Sequence, residues 1–577
     1  MIDLMKRYLR GFTLVCALLA PLLMFVEVWM DLQQPTLVSE IVDKGVAGRD
    51  FSFVLATGGK MALFALLGFF GGAGCTALSS VAAVKMCERL REGMFHQIQR
   101  LSFEDIDRFQ TSSLITRLTN DVAQIQNMVL LMLRIIVRSP VFCIGGIIMS
   151  VLLIPGLSVV FIAILPVILV GITLVLRKST PLYTLAQRCL DRVNTVMREN
   201  LLGIRVVKSM GLEDGQTERF SKANAELTGE SIRAQGITFA LLPVVTLMMN
   251  LAIVCVLWFG GGWVIGGGLE VGKIIAFVNY LVQITNSLLF GVNLVVNISQ
   301  AQASAQRVRE VLDAKPSIRQ PDAPKRPGDG SVEFRHVSLR YGADKKEALQ
   351  DICLRVEPGQ TVGIIGATGS GKSSLAGLVP RLYDATQGAV LVGGVDVRET
   401  DLETLRSKVG VVMQESVLFS GTIADNLRFG GSRSDGEALE KALDDAQAGF
   451  VRLLPHKYRS PVEQRGKNFS GGQRQRLSIA RTLLKEPDIL ILDDSGSALD
   501  METESRLRVS LDKRMRGRTV IVIAQRISSI RHADRIFVLD HGRIAASGTH
   551  DELLRKNEIY RDIVRLQLGE EALFDAV

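Results

Sequence analysis

The octapeptide G-A-T-G-S-G-K-S at 366–373 has the spacing of a loop that wraps phosphate. Gly366, Gly369 and Gly371 let backbone N–H groups close around an anion, and the helix that follows adds the positive end of its dipole. Thr368, Ser370 and Ser374 supply hydroxyls on the same loop and first helical turn. Lys372 is spaced to reach the outer phosphates of a nucleotide, and Ser373 to ligate Mg²⁺. TVGII precedes the loop and SSLAGLV follows it, which is the strand–loop–helix setting this chemistry needs.

A second apolar run, DILILDD, ends in Asp493 and Asp494. Alone it reads as a buried strand with an acidic end. Behind a phosphate loop it is the strand whose first acid, Asp493, holds Mg²⁺ directly or through water. Ahead of it lies NFSGGQRQR. There Ser470, Gly471, Gly472 and Gln473 form the tetrapeptide SGGQ.

The order of phosphate loop, SGGQ, acidic strand and SALD resembles the ATP-binding-cassette exporters, and the resemblance spans essentially the whole chain. It implies two nucleotide domains paired head to tail, with each ATP between the phosphate loop of one and the SGGQ of the other, where Ser470 and the N–H groups of Gly471 and Gly472, opening a helix, form a second anion cradle for the γ-phosphate. It further implies ATP and Mg²⁺ as cofactors and a second half-transporter as partner. By the same resemblance Tyr341 in LRYG stacks on adenine, Gln414 in VVMQE senses Mg²⁺ and faces the membrane domain, and Asp500 in SALD links the two sites. The implied metal set is Ser373, Gln414 and Asp493.

Three positions depart from the family pattern. Where the family has the Glu that polarises the attacking water, this chain has Asp494; where it has the His that contacts the γ-phosphate, after TVIVIA, it has Gln525. In the loop before SGGQ, where Glu is usual, it has Gln464. An Asp carboxylate sits back by more than ~1 Å, and a misplacement of that size can cost ~10²-fold in rate. Gln still donates a hydrogen bond but carries no imidazolium charge. With Asp494 and Gln525 at the catalytic positions and SGGQ intact, the chain resembles the degenerate partner of a heterodimeric exporter. A homodimer with two slow sites is the alternative.

The elements that carry these motifs divide the 577 residues into unlike halves. Long uncharged runs fall in the first 300 residues, at 12–30, 59–84, 140–154, 157–176, 237–258 and 273–298, each a candidate membrane span. Lys6, Arg7 and Arg10 before the first run imitate a signal peptide, but the run continues and lacks a small-residue cleavage site, so a retained helix is expected. The segments after spans two and four carry the Arg and Lys, including Arg89, Arg100, Arg117, Arg177, Lys178 and Arg205. The positive-inside bias makes them, and both termini, cytoplasmic. SLITRLTNDVAQIQNMV and VNTVMRENLLGIRVVKSMGLEDGQTERF have helical periodicity. They read as surface helices or as extensions that touch another domain; RFQTSSLITRLTNDV and GIRVVKSMGLEDGQTERF resemble the family's two coupling loops.

The expected fold is an all-α membrane domain of six transmembrane helices with long cytoplasmic extensions over 1–312, a proline-rich linker over 313–330, and an α/β P-loop domain over 331–577. The location is multi-pass in a membrane, the bacterial inner membrane by expectation. The net charge of +8 is accounted for by the flanks of the spans, so nucleic acid is excluded as a partner. The seven cysteines have no metal spacing. Asn279, Gln283, Asn286, Asn293 and Asn297 share one face of the sixth span, either as a cavity wall or as helix–helix contacts. Glu27 reads as an interfacial acid or as a site for a cationic substrate. Three functions fit: export of an amphipathic drug, lipid or peptide; import through the same fold; and an ATP-gated regulator.

Overall fold

The structure, a computed structural model, describes residues 1–342, 346–431 and 436–569. The chain forms two compact units, one of Met1–Gln99 and Ser112–Ala314, the other of Arg100–Thr111 and Lys315–Val577.

The first unit is helical. A short arm, Ile2–Tyr8, turns at Gly11 into Phe12–Glu40, which continues as a π-helical turn through Val46. The other long helices are Phe51–Arg100, Val122–Leu153, Val159–Leu202, Glu213–Phe239, Leu241–Ile265 and Val271–Leu312. Five continuous helical stretches among the described residues, the first at Phe12–Val46 and the last at Glu213–Ile265, are long and apolar enough to cross a membrane. The sixth expected span lies in Val271–Leu312, where Asn293 and Asn297 fall outside the described side chains. The Pro155 and Gly156 turn separates two of the helices, because neither residue sustains a helix. The helices run far beyond the apolar windows, since polar extensions such as 213–239 satisfy their backbone internally.

Arg138 donates to Glu27 at 2.8 Å, lies 3.8 Å from Asp31, and stacks over Phe142 at 5.4 Å. Gly71 and Gly72 let the second span close on Glu27: a Cβ at Gly72 would lie 2.7 Å from its Oε2. Glu27 therefore packs against the second span and is paired with Arg138. Tyr280, fully buried, donates to the Leu32 carbonyl at 2.6 Å and meets Thr36 at 2.7 Å. Asn279 and Asn286 are exposed, while Gln283 turns a buried Oε1 inward without a partner.

The second unit contains a six-stranded sheet in the order Arg543–Gly548, Arg535–Asp540, Thr361–Ile365, Thr519–Ile523, Ile489–Asp493, Val409–Val412. The four strands from 535–540 to 489–493 are parallel to their neighbours within that set, as is 409–412, and only 543–548 is antiparallel. Their near-continuous apolar runs reflect burial on both faces; Ile489–Asp493 is buried throughout. A second, antiparallel sheet of four strands holds Val332–Arg340 and Glu347–Val356. The parallel strands aim their carboxyl ends at one edge, where ligands bind in open α/β sheets.

Candidate nucleotide site

At that edge the strand Thr361–Ile365 leads into the phosphate loop, and the loop into the helix Lys372–Leu378. Gly371 has φ +101°, and a Cβ there would lie 2.5 Å from the Ala348 carbonyl oxygen, so no other residue fits the turn. Lys372 is buried, with Nζ donating to the carbonyls of Gly366 (2.9 Å) and Ala367 (2.8 Å). Thr368 and Gly369 are exposed at the loop tip and Ser373 is exposed at the helix start. Ser370 is buried with an unpartnered Oγ.

Pairing of Ile523 with Asp493 brings the ends of two neighbouring strands level. Asp493 accepts a hydrogen bond from Ser373. Burial pushes the Asp493 carboxyl above its ordinary range, and Asp494 adds to that, against Ser373 and Lys372. Burial pushes the Lys372 ammonium down, opposed by Asp494 and Asp493. Two buried carboxylates beside one ammonium that is bonded elsewhere leave negative charge uncompensated. Carboxylate and hydroxyl oxygens are the donor set a hard divalent cation prefers.

Asp494 is the second buried acid, with φ +49°, a region that costs a non-glycine residue of order 1 kcal/mol. Its N–H donates to the Ile523 carbonyl at 2.8 Å, and Ser497 Oγ donates to its carbonyl at 2.9 Å. Its Oδ2 accepts from Gln525 at 3.0 Å and from Gln414 at 3.3 Å. Gln414 and Gln525, expected to face metal and γ-phosphate, thus converge on one carboxylate.

Ser470 caps the helix Gly471–Leu483 reciprocally: its Oγ accepts from Gln473 N at 3.3 Å and its N–H donates to Gln473 Oε1 at 2.9 Å. Ser470 and Gly471 are exposed, so the cradle faces out from its own chain. Gln475 in the same helix bonds Ser416, two residues after Gln414, and ties the two motifs together. Asp500 caps the helix Met501–Arg514, accepting from Thr503 N at 2.9 Å; that bond holds its carboxyl below the usual range. Gln464 is exposed.

Tyr341 is half-buried, donates to Ser374 at 2.9 Å and meets Tyr383 edge-on with ring centroids 4.9 Å apart. Sequence reasoning missed Tyr383, because it belongs to no motif. Its hydroxyl donates to Asp107 at 3.1 Å and its ring lies 6.2 Å from Phe103. These partners sit on the short helix Phe103–Phe109, which Ser102 and Asp105 start with a capping box and which Asp105 ties to the N–H of Ser317 at 3.0 Å. The contacting residues thus begin before the RFQTSSLITRLTNDV motif. Gln567 was equally silent: it brackets the Gln525 loop, donating to the Gln525 carbonyl at 2.7 Å and accepting from Ile527 N at 2.8 Å.

Residues 17–288 match the ABC transporter transmembrane region and residues 349–497 match the ABC transporter family. YfiB of Bacillus subtilis (strain 168), an uncharacterized ABC transporter ATP-binding protein, is 36% identical over 568 residues, 98% of each chain. Rv1273c of Mycobacterium tuberculosis (strain ATCC 25618 / H37Rv), described in the same words, is 37% identical over 582 residues, again 98% of each chain. A solved structure of a bacterial Atm1-family ABC exporter with ATP bound superposes with a TM-score of 0.80 at 27% identity, covering 97% of this chain and 98% of that one.

Proposed function

Because this chain belongs to the ATP-binding-cassette transporters and is an exporter-type half-transporter with an ATPase domain coupled to transport, we propose that it is the degenerate-site half of a heterodimeric exporter. The observation that carries the reading is Asp494, whose Oδ2 is occupied by Gln414 and Gln525 while the Ser470–Gln473 cradle stays exposed and fully capped. A carboxylate that already accepts from two amides is poorly placed to accept a proton from water as well.

Lys372, the loop N–H groups and Tyr341 hold ATP in this reading, and Ser373, Asp493 and Gln414 hold Mg²⁺. The bound nucleotide supplies the phosphoanhydride whose cleavage drives transport. Ser470, Gly471 and Gly472 stabilise the γ-phosphate charge in the site completed by the partner, a chain with Glu and His at the positions matching Asp494 and Gln525. The cargo is an amphipathic small molecule, lipid or peptide, moved outward across the bacterial inner membrane with both termini cytoplasmic.

The test is to co-express the tagged chain with its neighbouring half-transporter gene. Co-purification at a one-to-one ratio, with ATPase activity the single chain lacks, supports the reading. Full activity in a complex of identical chains selects the homodimer instead.

A further inference from the structure

Three guanidinium-bearing residues from two elements line one cleft of about 510 Å³: Arg7 and Arg10 from the N-terminal arm and Arg89 from the helix Phe51–Arg100. Tyr8 and Gly11 complete its lining, and none of the five residues is acidic. Arg89 is fixed in place, with Nη1 donating to the Tyr8 carbonyl (3.3 Å), the Arg10 carbonyl (3.1 Å) and Thr13 Oγ1 (3.3 Å). Tyr8 is packed against the same helix, its hydroxyl 2.7 Å from where a Cβ at Gly93 would be. Arg7 has one long ion pair, 3.8 Å to Asp313, with both side chains more than half exposed, which contributes little. Bringing like charges together in a fixed cleft is unfavourable unless an anion joins them. Directly after Gly11 the first span begins with Phe12, 68% exposed, and Val15, 50% exposed.

We propose that this cleft binds the phosphate headgroup of an anionic phospholipid from the cytoplasmic leaflet, with its acyl chains along the outer face of the first span. The chemistry fits on two counts. Arg is the residue suited to bidentate recognition of a phosphate, and basic pockets beside membrane helices on the cytoplasmic side are where acidic headgroups bind. The volume is in the range of small-ligand sites. The inference rests on the cytoplasmic assignment of the arm made above. The lipid tethers the arm to the first and second spans, so lipid composition becomes an input to the helical unit.

The experiment uses the full chain in nanodiscs of phosphatidylglycerol diluted in phosphatidylcholine, with lipid retention read by native mass spectrometry. The expected result is preferential retention of phosphatidylglycerol, weakened about tenfold or more by Arg7→Gln with Arg10→Gln. Arg177→Gln with Lys178→Gln removes equal charge from the end of the fourth span and should leave retention unchanged. Equal retention of both lipids, or equal loss in both double variants, overturns the site. Displacement of the lipid by inorganic phosphate alone identifies a free-anion site and overturns the lipid assignment. Separately, Lys6→Cys, in a chain with Cys255 and Cys353 replaced by serine, is labelled with an impermeant thiol reagent in inverted vesicles. Labelling from the opposite side overturns the topology, whatever the lipid result.

Discussion

The side-chain amide of Gln525 donates to Oδ2 of Asp494 at 3.0 Å, and the same oxygen accepts from Gln414 at 3.3 Å. A Glu carboxylate reaches one methylene further than Asp, and an imidazole in place of Gln525 offers the charge that an amide cannot. Asp494→Glu combined with Gln525→His is therefore expected to raise phosphate release at this chain's own site by about 10²-fold. Either change alone should give much less, since Asp494→Glu by itself supplies no imidazole and Gln525→His by itself leaves the shorter carboxylate. Single-turnover phosphate release by the purified complex measures this. An unchanged rate in the double variant means the block lies elsewhere.

The cradle should be far more sensitive than the acid. A Cβ at Gly471 meets only Ala498, at 3.8 Å, so Gly471→Asp is accommodated by the fold while placing a carboxylate where the γ-phosphate is proposed to bind. In the complex it should lower steady-state turnover about 10²-fold or more, the scale of losing one charge-stabilising donor. Asp494→Asn should cost less than about threefold, because the group is not acting as a base. Equal losses from the two variants would exchange the assignment of the sites.

Tyr383 joins Tyr341, the aromatic proposed to stack on adenine, to the helix 103–109 through Asp107. Tyr383→Phe keeps the ring and removes the hydroxyl. ATP affinity is expected to change less than about twofold, while stimulation of ATPase by transported compounds falls. Tyr383→Ala also removes the edge contact with Tyr341, worth about 0.5–1.5 kcal/mol, and should weaken ATP binding too. Nucleotide titration alongside stimulated ATPase separates the two effects.

His550 accepts or donates at Nδ1 to the hydroxyl of fully buried Tyr560, 2.7 Å away, and burial pushes its pKa below the ordinary value, with Arg531 adding to that and Asp551 opposing it. The folded chain keeps this ring neutral where the unfolded chain protonates it. Its stabilising effect is then complete above about pH 6.5 and declines as pH falls below that. The thermal midpoint of the nucleotide-binding unit should drop between about pH 7 and pH 5.5, and His550→Gln should flatten that dependence. A midpoint insensitive to pH in the native chain would remove His550 from the account.

The sequence disclosed the motifs because phosphate chemistry demands fixed residue types at fixed spacing; the loop at 366–373 and the cap at Ser470 are local, and their geometry follows from a dozen neighbouring residues. It disclosed the apolar helices for a similar reason, since a bilayer demands length. What it could not disclose depends on long-range register. Gln525 and Gln414 meet at Asp494 only because the strands 519–523 and 409–412 flank 489–493. Tyr383, Gln567 and the Arg138 partner of Glu27 are ordinary residues whose roles come from neighbours distant in sequence. Residues 100–111 join the nucleotide-binding unit through a capping box and Ser317, a contact invisible in periodicity.

The most direct test of the central claim is the ATPase rate of this chain purified alone in lipid, set against the same chain co-purified with a different half-transporter. The account predicts slow phosphate release by the single chain, well below about 1 s⁻¹, and brisk turnover once the partner supplies its acid opposite Ser470. Turnover at or above about 1 s⁻¹ by the single chain, unchanged by the partner, would contradict it.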